Sequence, residues 1–484
     1  MSTAVVSFYN RHQETQVLQQ ALSSRRAELF ILYGRRGVGK TALLERVLNQ
    51  AGPPYIFYRA TRRTLPLQLE ALTEAVREAY PDAFLAQPFA SLQAFLEFLV
   101  HQASQRPRGK VALVIDELPY LADVEPGLLT MLQHWWDAHK RQPNLKIFLA
   151  GSYLSFMERQ VLDHNAPLYN RRTGAMRLEP LDYAEAALFF PRYSPQEKME
   201  VYAILGGMPS YLEQFDPQQD IAANVQATIL RRNTYLSEEP DWLLLEELRR
   251  DVTYGSILRA VANGAGRPSA IAQAIGKQSA QDVAPQLVTL QDLGLLVREV
   301  PITERHRPRS RTSLYLVADP YLDFWHRFVD PARSLVARGL GARLWEQRMA
   351  PALAEYVSRP TFERACRQFL WRALAAGDLP AGLELAAVGT WWGAGDRELD
   401  VVATDERHRV ILAGSCKWTN AKVDVREYAA LQAGLAQSGL AMADQVPWLA
   451  LFSRAGFTPR LRQLAQAQQP QRLLLVDLAQ MYQA

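Results

Sequence analysis

This chain of 484 residues predicts a multidomain α/β protein whose first domain is built on a parallel sheet. Three observations carry that expectation. The length is about three times an ordinary domain of roughly 100–200 residues. Two apolar runs, LFILY (29–33) and KVALVIDE (110–117), are too short for helices and too uniformly apolar for half-exposed strands, as in sheets covered on both faces. In the last quarter, a helical pattern is followed by three strand-like runs joined by turns.

Composition narrows the class. Apolar residues make up 48% and charged residues 21%, enough to fill several cores and too apolar for a disordered chain. The formal charge of +4 is mild for this length, so the placement of arginines matters more than their sum. Cys366 and Cys416 are the two cysteines, which excludes a disulfide framework and gives no zinc-ligand spacing. The start, MSTAVVSFYNRHQETQ, has neither a basic leader nor an apolar core, and no run reaches the ~18 apolar residues of a membrane span. The expected location is the cytoplasm, with no membrane partner.

LFILY is followed at once by Gly34-Arg35-Arg36-Gly37-Val38-Gly39-Lys40-Thr41 and then by ALLERVLNQA, a helical pattern beginning at Ala42. GxxxxGKT between a strand and a helix is a phosphate cradle: glycines let backbone N–H groups turn inward, and the helix start adds its positive dipole end. Lys40 is placed to reach the β- and γ-phosphates and Thr41 to ligate Mg²⁺. Asp116, ending the second run, would hold the same Mg²⁺, and Glu117 would polarise the attacking water. A third run, LKIFLA (145–150), ends in Gly151-Ser152. In P-loop ATPases carrying such an extra strand a small polar residue here senses the γ-phosphate, which makes Ser152 the candidate. The plain alternative is a helix N-cap.

With these motifs in hand, the chain resembles the archaeal-type ATPases of the signal-transduction (STAND) branch of the AAA+ superfamily. The matching stretches are FYNRHQE (8–14), LAGSYLSFM (149–157), APLYNRRTG (166–174), LGGMPSYL (205–212), EELRRDVTYGSIL (246–258) and YLVADPYLDFWHRFV (315–329), with ELDVVA and AGSCKW near the end. The resemblance implies ATP and Mg²⁺ as cofactors. It also implies that Arg11, with Tyr9 and Asn10, flanks the base, and that the Gly206–Pro209 turn lies in a helical lid over the adenine. Arg171 or Arg172 is the candidate for meeting the γ-phosphate, a surface salt bridge being the alternative.

The expected divisions are 1–185 for the nucleotide domain, 186–245 for the lid, 246–330 for a winged helix-turn-helix and 331–484 for a linker helix and a C-terminal α/β domain. The winged reading rests on IAQAIG (271–276), a polar turn at 277–279, and a second helix running into Gly294 and LLVREV. Arg305, Arg307, Arg309 and Arg311 cluster at the expected wing tip, suited to the phosphates of double-stranded DNA. The recognition-helix candidate carries no Arg or Lys of its own, so base reading looks weak and a regulatory arm packed within the protein stands beside it.

The C-terminal stretch, helix TFERACRQFLWR (361–372), then LELAAVG (382–388), ELDVVAT (398–404) and RVILAGSCKW (409–418), matches the common core of PD-(D/E)xK nucleases, a restriction-endonuclease-like α/β fold. Such a core joins one acid on its second strand to an acid-x-lysine on its third around Mg²⁺. Asp400 and Lys417 fit, while Ser415 stands where the second acid belongs. Glu398, or Glu363 from the preceding helix, is the available substitute. The residues leave an active nuclease, a degenerate phosphate or nucleic-acid pocket and a structural domain open, with activity put in doubt. The tryptophans 391, 392 and 418 suit base stacking or core packing.

These readings combine into an ATP-hydrolysing switch that couples nucleotide state to the later domains. The alternatives are a DNA-binding or DNA-processing protein licensed by ATP, in defence or mobile-element control, and a nucleotide-sensing scaffold for a protein partner or oligomer.

Overall fold

The structure, a computed structural model, describes residues 10–483 apart from 53, 107–108, 249–251, 306–311, 394–396, 441–445, 468–471 and the side chains of 246–247. The chain forms two compact units, Met1–Pro180 and Leu181–Ala484.

Among its described residues, the first unit carries strands β1 (Glu28–Tyr33), β2 (Tyr55–Arg59), β3 (Val111–Asp116), β4 (Leu145–Gly151) and β5 (Gly174–Arg177). All pair in parallel, in the order β2-β3-β4-β1-β5. Helix α1 (His12–Ser23) precedes β1, and the long crossovers that parallel neighbours need run through α2 (Lys40–Ala51), α3 (Leu65–Ala79), α4 (Leu92–Gln105), α5 (Leu118–Val124) and α6 (Leu128–His139). Every residue of β3 and β4 is buried, which is why both read as continuous apolar runs. The fold places β4 between β1 and β3, so the phosphate-loop strand and the acid-bearing strand are separated by one strand. The carboxyl ends of β1, β2, β3 and β4 share one edge, where open α/β sheets bind ligands.

The second unit begins with helices Tyr183–Ala186, Pro195–Leu205, Pro209–Leu212, Ile221–Thr228 and Tyr235–Leu248. Gly206 bends the chain at φ 65°, and a Cβ on Gly207 would stand 1.7 Å from the Leu181 carbonyl oxygen. That approach arises because the Leu181 N–H donates to the Gly207 carbonyl at 2.8 Å.

Helices Val252–Ala262, Pro268–Ala274 and Ala284–Asp292 then lead into an antiparallel pair, β6 (Leu296–Glu299) and β7 (Leu314–Val317). Ile257, Leu258, Ile271, Leu287, Leu290, Leu296 and Val317 share one core. Gly294, at φ 66°, closes the third helix, and the next N–H, of Leu295, reaches back to Leu290 at 2.9 Å. The segment after β6 turns away from this core: Ile302 joins the C-terminal core, beside Gly389.

The C-terminal part sets helix Glu363–Ala376 before β8 (Ala387–Trp392), β9 (Glu398–Thr404), β10 (Val410–Lys417), β11 (Trp448–Ser453) and β12 (Leu473–Asp477). The order is β12-β11-β10-β9-β8, antiparallel from β8 to β10 and parallel from β10 to β12. Helix Val425–Ser438 makes the crossover between β10 and β11. The first strand lies later than the 382–388 expected from LELAAVG. β9 ends at Thr404 opposite Ala387, so the residues before Ala387 lie beyond the end of the ladder they would pair with. Leu383 and Leu385 are buried there without being strand.

No helix among the described residues is long and apolar enough to cross a membrane.

Candidate functional site

In the loop between β1 and α2, Gly37 and Gly39 have φ of 82° and 99°, values that side chains other than glycine rarely adopt. At Gly34 a Cβ would come within 2.5 Å of the Leu178 carbonyl oxygen. α2 begins at Lys40, whose side chain is 5% exposed. Its ammonium donates to the carbonyls of Gly34 at 2.9 Å and Arg35 at 3.1 Å, so it lies across the loop. Val38 is buried, Arg36 is exposed, and Ala42 lies in the first turn of α2.

The end of β3 meets this loop through Thr41, whose hydroxyl donates to Asp116 Oδ2 at 2.7 Å. Asp116 is 1% exposed. A hydroxyl and a carboxylate converging at a helix start are hard oxygen donors of the kind Mg²⁺ takes beside phosphates, so these two residues fit that ion. The next residue, Glu117, adopts a left-handed conformation at φ 58° before α5. Its Oε2 accepts from the Ser152 hydroxyl at 2.7 Å and the Ser152 N–H at 3.1 Å. Ser152 therefore holds the glutamate, through both its groups, rather than capping a helix; the adjoining helix shows no side-chain cap.

Arg11 is 6% exposed and donates to the carbonyls of Val38 at 3.3 Å and Glu179 at 2.6 Å, with Glu14 at 2.9 Å on its other nitrogen. It clamps the phosphate loop from behind. Tyr9 lies outside the described residues, and Pro209 opens the helix Pro209–Leu212 of the second unit.

Within its own chain Arg171 makes the surface salt bridge that stood as the alternative. It precedes β5, whose first residue, Gly174, is in register with Phe30, and the Thr173 N–H bonds to Leu29 O. Leu29 lies at the opposite edge of the sheet, roughly 15 Å of strand from Gly34. Arg171 there forks onto Asp137 of α6, at 2.9 and 2.8 Å, and this guanidinium holds the Asp137 carboxyl below its usual range. Arg172 stacks over Tyr169. Within its own chain, neither reaches the phosphate loop.

One residue at the nucleotide edge carries no sequence motif. Arg59, the last residue of β2, is in register with Asp116 and places Nε 3.3 Å from Asp116 Oδ2. The only hint in the sequence is that the apolar run YIFYR ends in a cation.

In the C-terminal sheet, Glu363, Glu398 and Asp400 do converge, but on a cation within the chain. Arg359 Nε lies 2.8 Å from Glu363, and its Nη2 lies 2.9 Å from Glu398 and 3.7 Å from Asp400. Ser415 sits opposite Asp400 and donates to its Oδ2 at 3.1 Å, beside the Cys416 N–H at 2.6 Å. Lys417 is drawn away to Glu427 on the crossover helix, at 3.0 Å. Burial pushes the Glu363 carboxyl up to about 8, with the Asp400 charge adding to it. Burial disfavours the ionised form, so this enclosed acid holds its proton more tightly than a free glutamate despite Arg359 and Arg367 nearby. No group of three or more His, Cys, Asp or Glu side chains suited to holding a metal occurs among the described residues. Arg359 and Glu427 were not anticipated, because nothing local marks them.

A cavity of about 360 Å³ adjoins this cluster, lined by Arg359, Glu363 and Glu398 from the site, Leu314 and Leu316 of β7, and Trp392. The Trp392 indole donates to Thr312 O at 3.1 Å, Trp391 is buried, and Trp418 packs on Phe362 and Arg454. These tryptophans are engaged in packing. Arg305 is exposed, while Arg307, Arg309 and Arg311 lie outside the described residues.

Residues 8–215 match the family described as an ATPase domain predominantly from Archaea, and residues 325–428 match a family of archaeal and bacterial proteins of unknown function. An uncharacterised protein of Methanocaldococcus jannaschii is 28% identical over 86% of this chain and 88% of its own. An uncharacterised ATP-binding protein of Pyrococcus abyssi is 24% identical over 42% of this chain and 68% of its own. Among solved structures, the Aeropyrum pernix ORC2 protein aligns with a TM-score of 0.41 at 13% identity, covering 69% of this chain and 94% of that one. With the loop geometry, the match over residues 8–215 supports ATP binding and hydrolysis by the N-terminal part of the chain.

Proposed function

We propose that the chain is an ATP-hydrolysing switch of the STAND branch of the AAA+ ATPases, whose nucleotide state is read out by a winged-helix-like region and a degenerate nuclease-like domain. The observation that carries the proposal is the convergence of Lys40, Thr41, Asp116 and a Ser152-held Glu117 on one edge of the sheet. Loop N–H groups and Lys40 would bind the phosphates, and Thr41 and Asp116 would hold Mg²⁺, which would offset phosphate charge. Glu117 orients the attacking water, and the Ser152 hydroxyl fixes where that carboxylate points.

The helix order before β6 and β7 supports the winged-helix reading, and the sheet order around Asp400 supports the PD-(D/E)xK-like one. Three departures favour a silenced site: Ser415 for an acid, Lys417 paired with Glu427, and Arg359 among the acids. Restoring an acid with Ser415→Glu should therefore yield no Mg²⁺-dependent cleavage while Arg359 remains.

Limited proteolysis of the full chain with ATP or ADP tests the switch. Different patterns, lost in Lys40→Ala, are expected, and identical patterns would sink it. The DNA reading draws on exposed Arg305 at the wing position. Against it, the helix Ala284–Asp292 carries Asp292 and no Arg or Lys. Gel shifts across salt concentrations separate the two, since a duplex binder loses affinity steeply with salt.

A further inference from the structure

The nucleotide edge holds a cation that the phosphate chemistry leaves without a role. Asp116 is almost fully buried and, as a carboxylate, needs positive charge or several donors nearby. It receives the Thr41 hydroxyl at 2.7 Å, the Glu117 N–H at 3.1 Å on its other oxygen, and Arg59 Nε at 3.3 Å. Thr41 and Arg59 both approach Oδ2, the oxygen a metal between Thr41 and Asp116 would take. Arg59 lies closer to Asp116 than to a second acid, Glu45. Its side chain is 53% exposed, and another of its nitrogens lies 4.0 Å from Glu45 on α2, itself 52% exposed.

We propose that Arg59 is the resident counter-ion of Asp116, occupying the metal's electrostatic place in the nucleotide-free protein and yielding to Mg²⁺ by swinging toward Glu45 when Mg²⁺ and nucleotide bind. A guanidinium and a divalent cation cannot both lie against one carboxylate oxygen without strong like-charge repulsion. Displacement is feasible because Arg59 has an exposed stem and a second acid within reach. Arg59 is thus a positioning residue: it keeps the buried carboxylate aimed at Thr41, and it raises the Mg²⁺ concentration needed for loading. The site then distinguishes Mg²⁺-bound nucleotide from nucleotide alone.

The inference rests on the P-loop reading, and one titration separates the two. A fluorescent ADP analogue is bound to the full chain in EDTA and then across rising Mg²⁺, for the wild type, Arg59→Gln and Arg59→Lys. Arg59→Gln should lower the Mg²⁺ midpoint roughly fivefold, the scale of a partly exposed ion pair, and leave affinity in EDTA unchanged. Arg59→Lys should retain the wild-type midpoint within about twofold, since it keeps the charge. In thermal unfolding, Arg59→Gln should melt earlier than the wild type without nucleotide and converge with it at saturating Mg²⁺ and ADP. That convergence would also show that the variant folds. An unchanged or higher midpoint overturns the counter-ion role, and so does an equal loss of affinity with and without Mg²⁺, which would make Arg59 a phosphate ligand. A wild-type chain that bound no nucleotide under either condition would overturn the P-loop reading itself.

Discussion

Replacing Glu363 with glutamine should make the protein less sensitive to alkaline pH. In the fold the Glu363 carboxyl is pushed up to about 8 by burial and by the Asp400 charge, against 4.5 for a free glutamate. Below pH 4.5 both folded and unfolded chains carry the proton, and its contribution is fully present. Between 4.5 and about 8 the unfolded chain has released the proton that the folded chain keeps, so stability declines as pH rises by up to ~1.4 kcal/mol per unit. From pH 5.5 to 7.5 that amounts to about 2–3 kcal/mol. Glutamine has nearly the same shape, accepts from Arg359 Nε through its carbonyl and does not titrate. Urea unfolding of both proteins, followed by tryptophan fluorescence, should show a Glu363→Gln advantage that grows by about 2–3 kcal/mol between pH 5.5 and pH 7.5. Asp323, pushed up to about 6 by burial, titrates in both proteins and cancels in the comparison. A stability difference that stayed constant with pH, or one that moved toward the wild type as pH rose, would refute the idea that the cluster carries a proton.

The other predictions concern separate parts of the chain. Lys40→Ala should weaken ATP binding by about a hundredfold or more, and Glu117→Gln should preserve binding while lowering turnover on the order of 10²- to 10³-fold, as equilibrium binding and phosphate release would report. Asp330 is buried, which raises its carboxyl, but bonds from His326, Arg333 and Arg259 outweigh this and hold it well below the usual range. The stability this contributes is present at neutral pH and lost as pH falls below about 4, so Asp330→Asn should cost about 2–3 kcal/mol at pH 7 and flatten the acid limb of a denaturation series. Gly207→Ala places a Cβ against the Leu181 carbonyl and should lower the melting temperature of the second unit, at a cost of about 3 kcal/mol or more, since backbone on both sides must move.

The phosphate cradle was legible because its chemistry is local. Gly34 to Thr41 are consecutive, and a loop of consecutive residues already dictates where its N–H groups, its lysine and the helix start will be. Asp116 and Glu117 were legible for a related reason, since a buried parallel strand ending in acids must deliver them to the ligand edge. For Arg171 the sequence left a γ-phosphate contact and a surface salt bridge side by side, because it does not tell which edge of the sheet the start of β5 occupies. The pairing of Gly174 with Phe30 decided it.

For the stretch AGSCKW the sequence determined the residue types and their alternation, hence a hydroxyl two positions before a lysine. It carried no sign of what those groups would meet. Arg359 among Glu363, Glu398 and Asp400, Glu427 drawing Lys417 aside, and Arg59 resting on Asp116 all join residues from separate elements. Such encounters depend on strand register and on how a helix lies across a sheet, which are settled by packing the whole core. That is why the motifs could be read from the chain, and the counter-charges that govern them only from the fold.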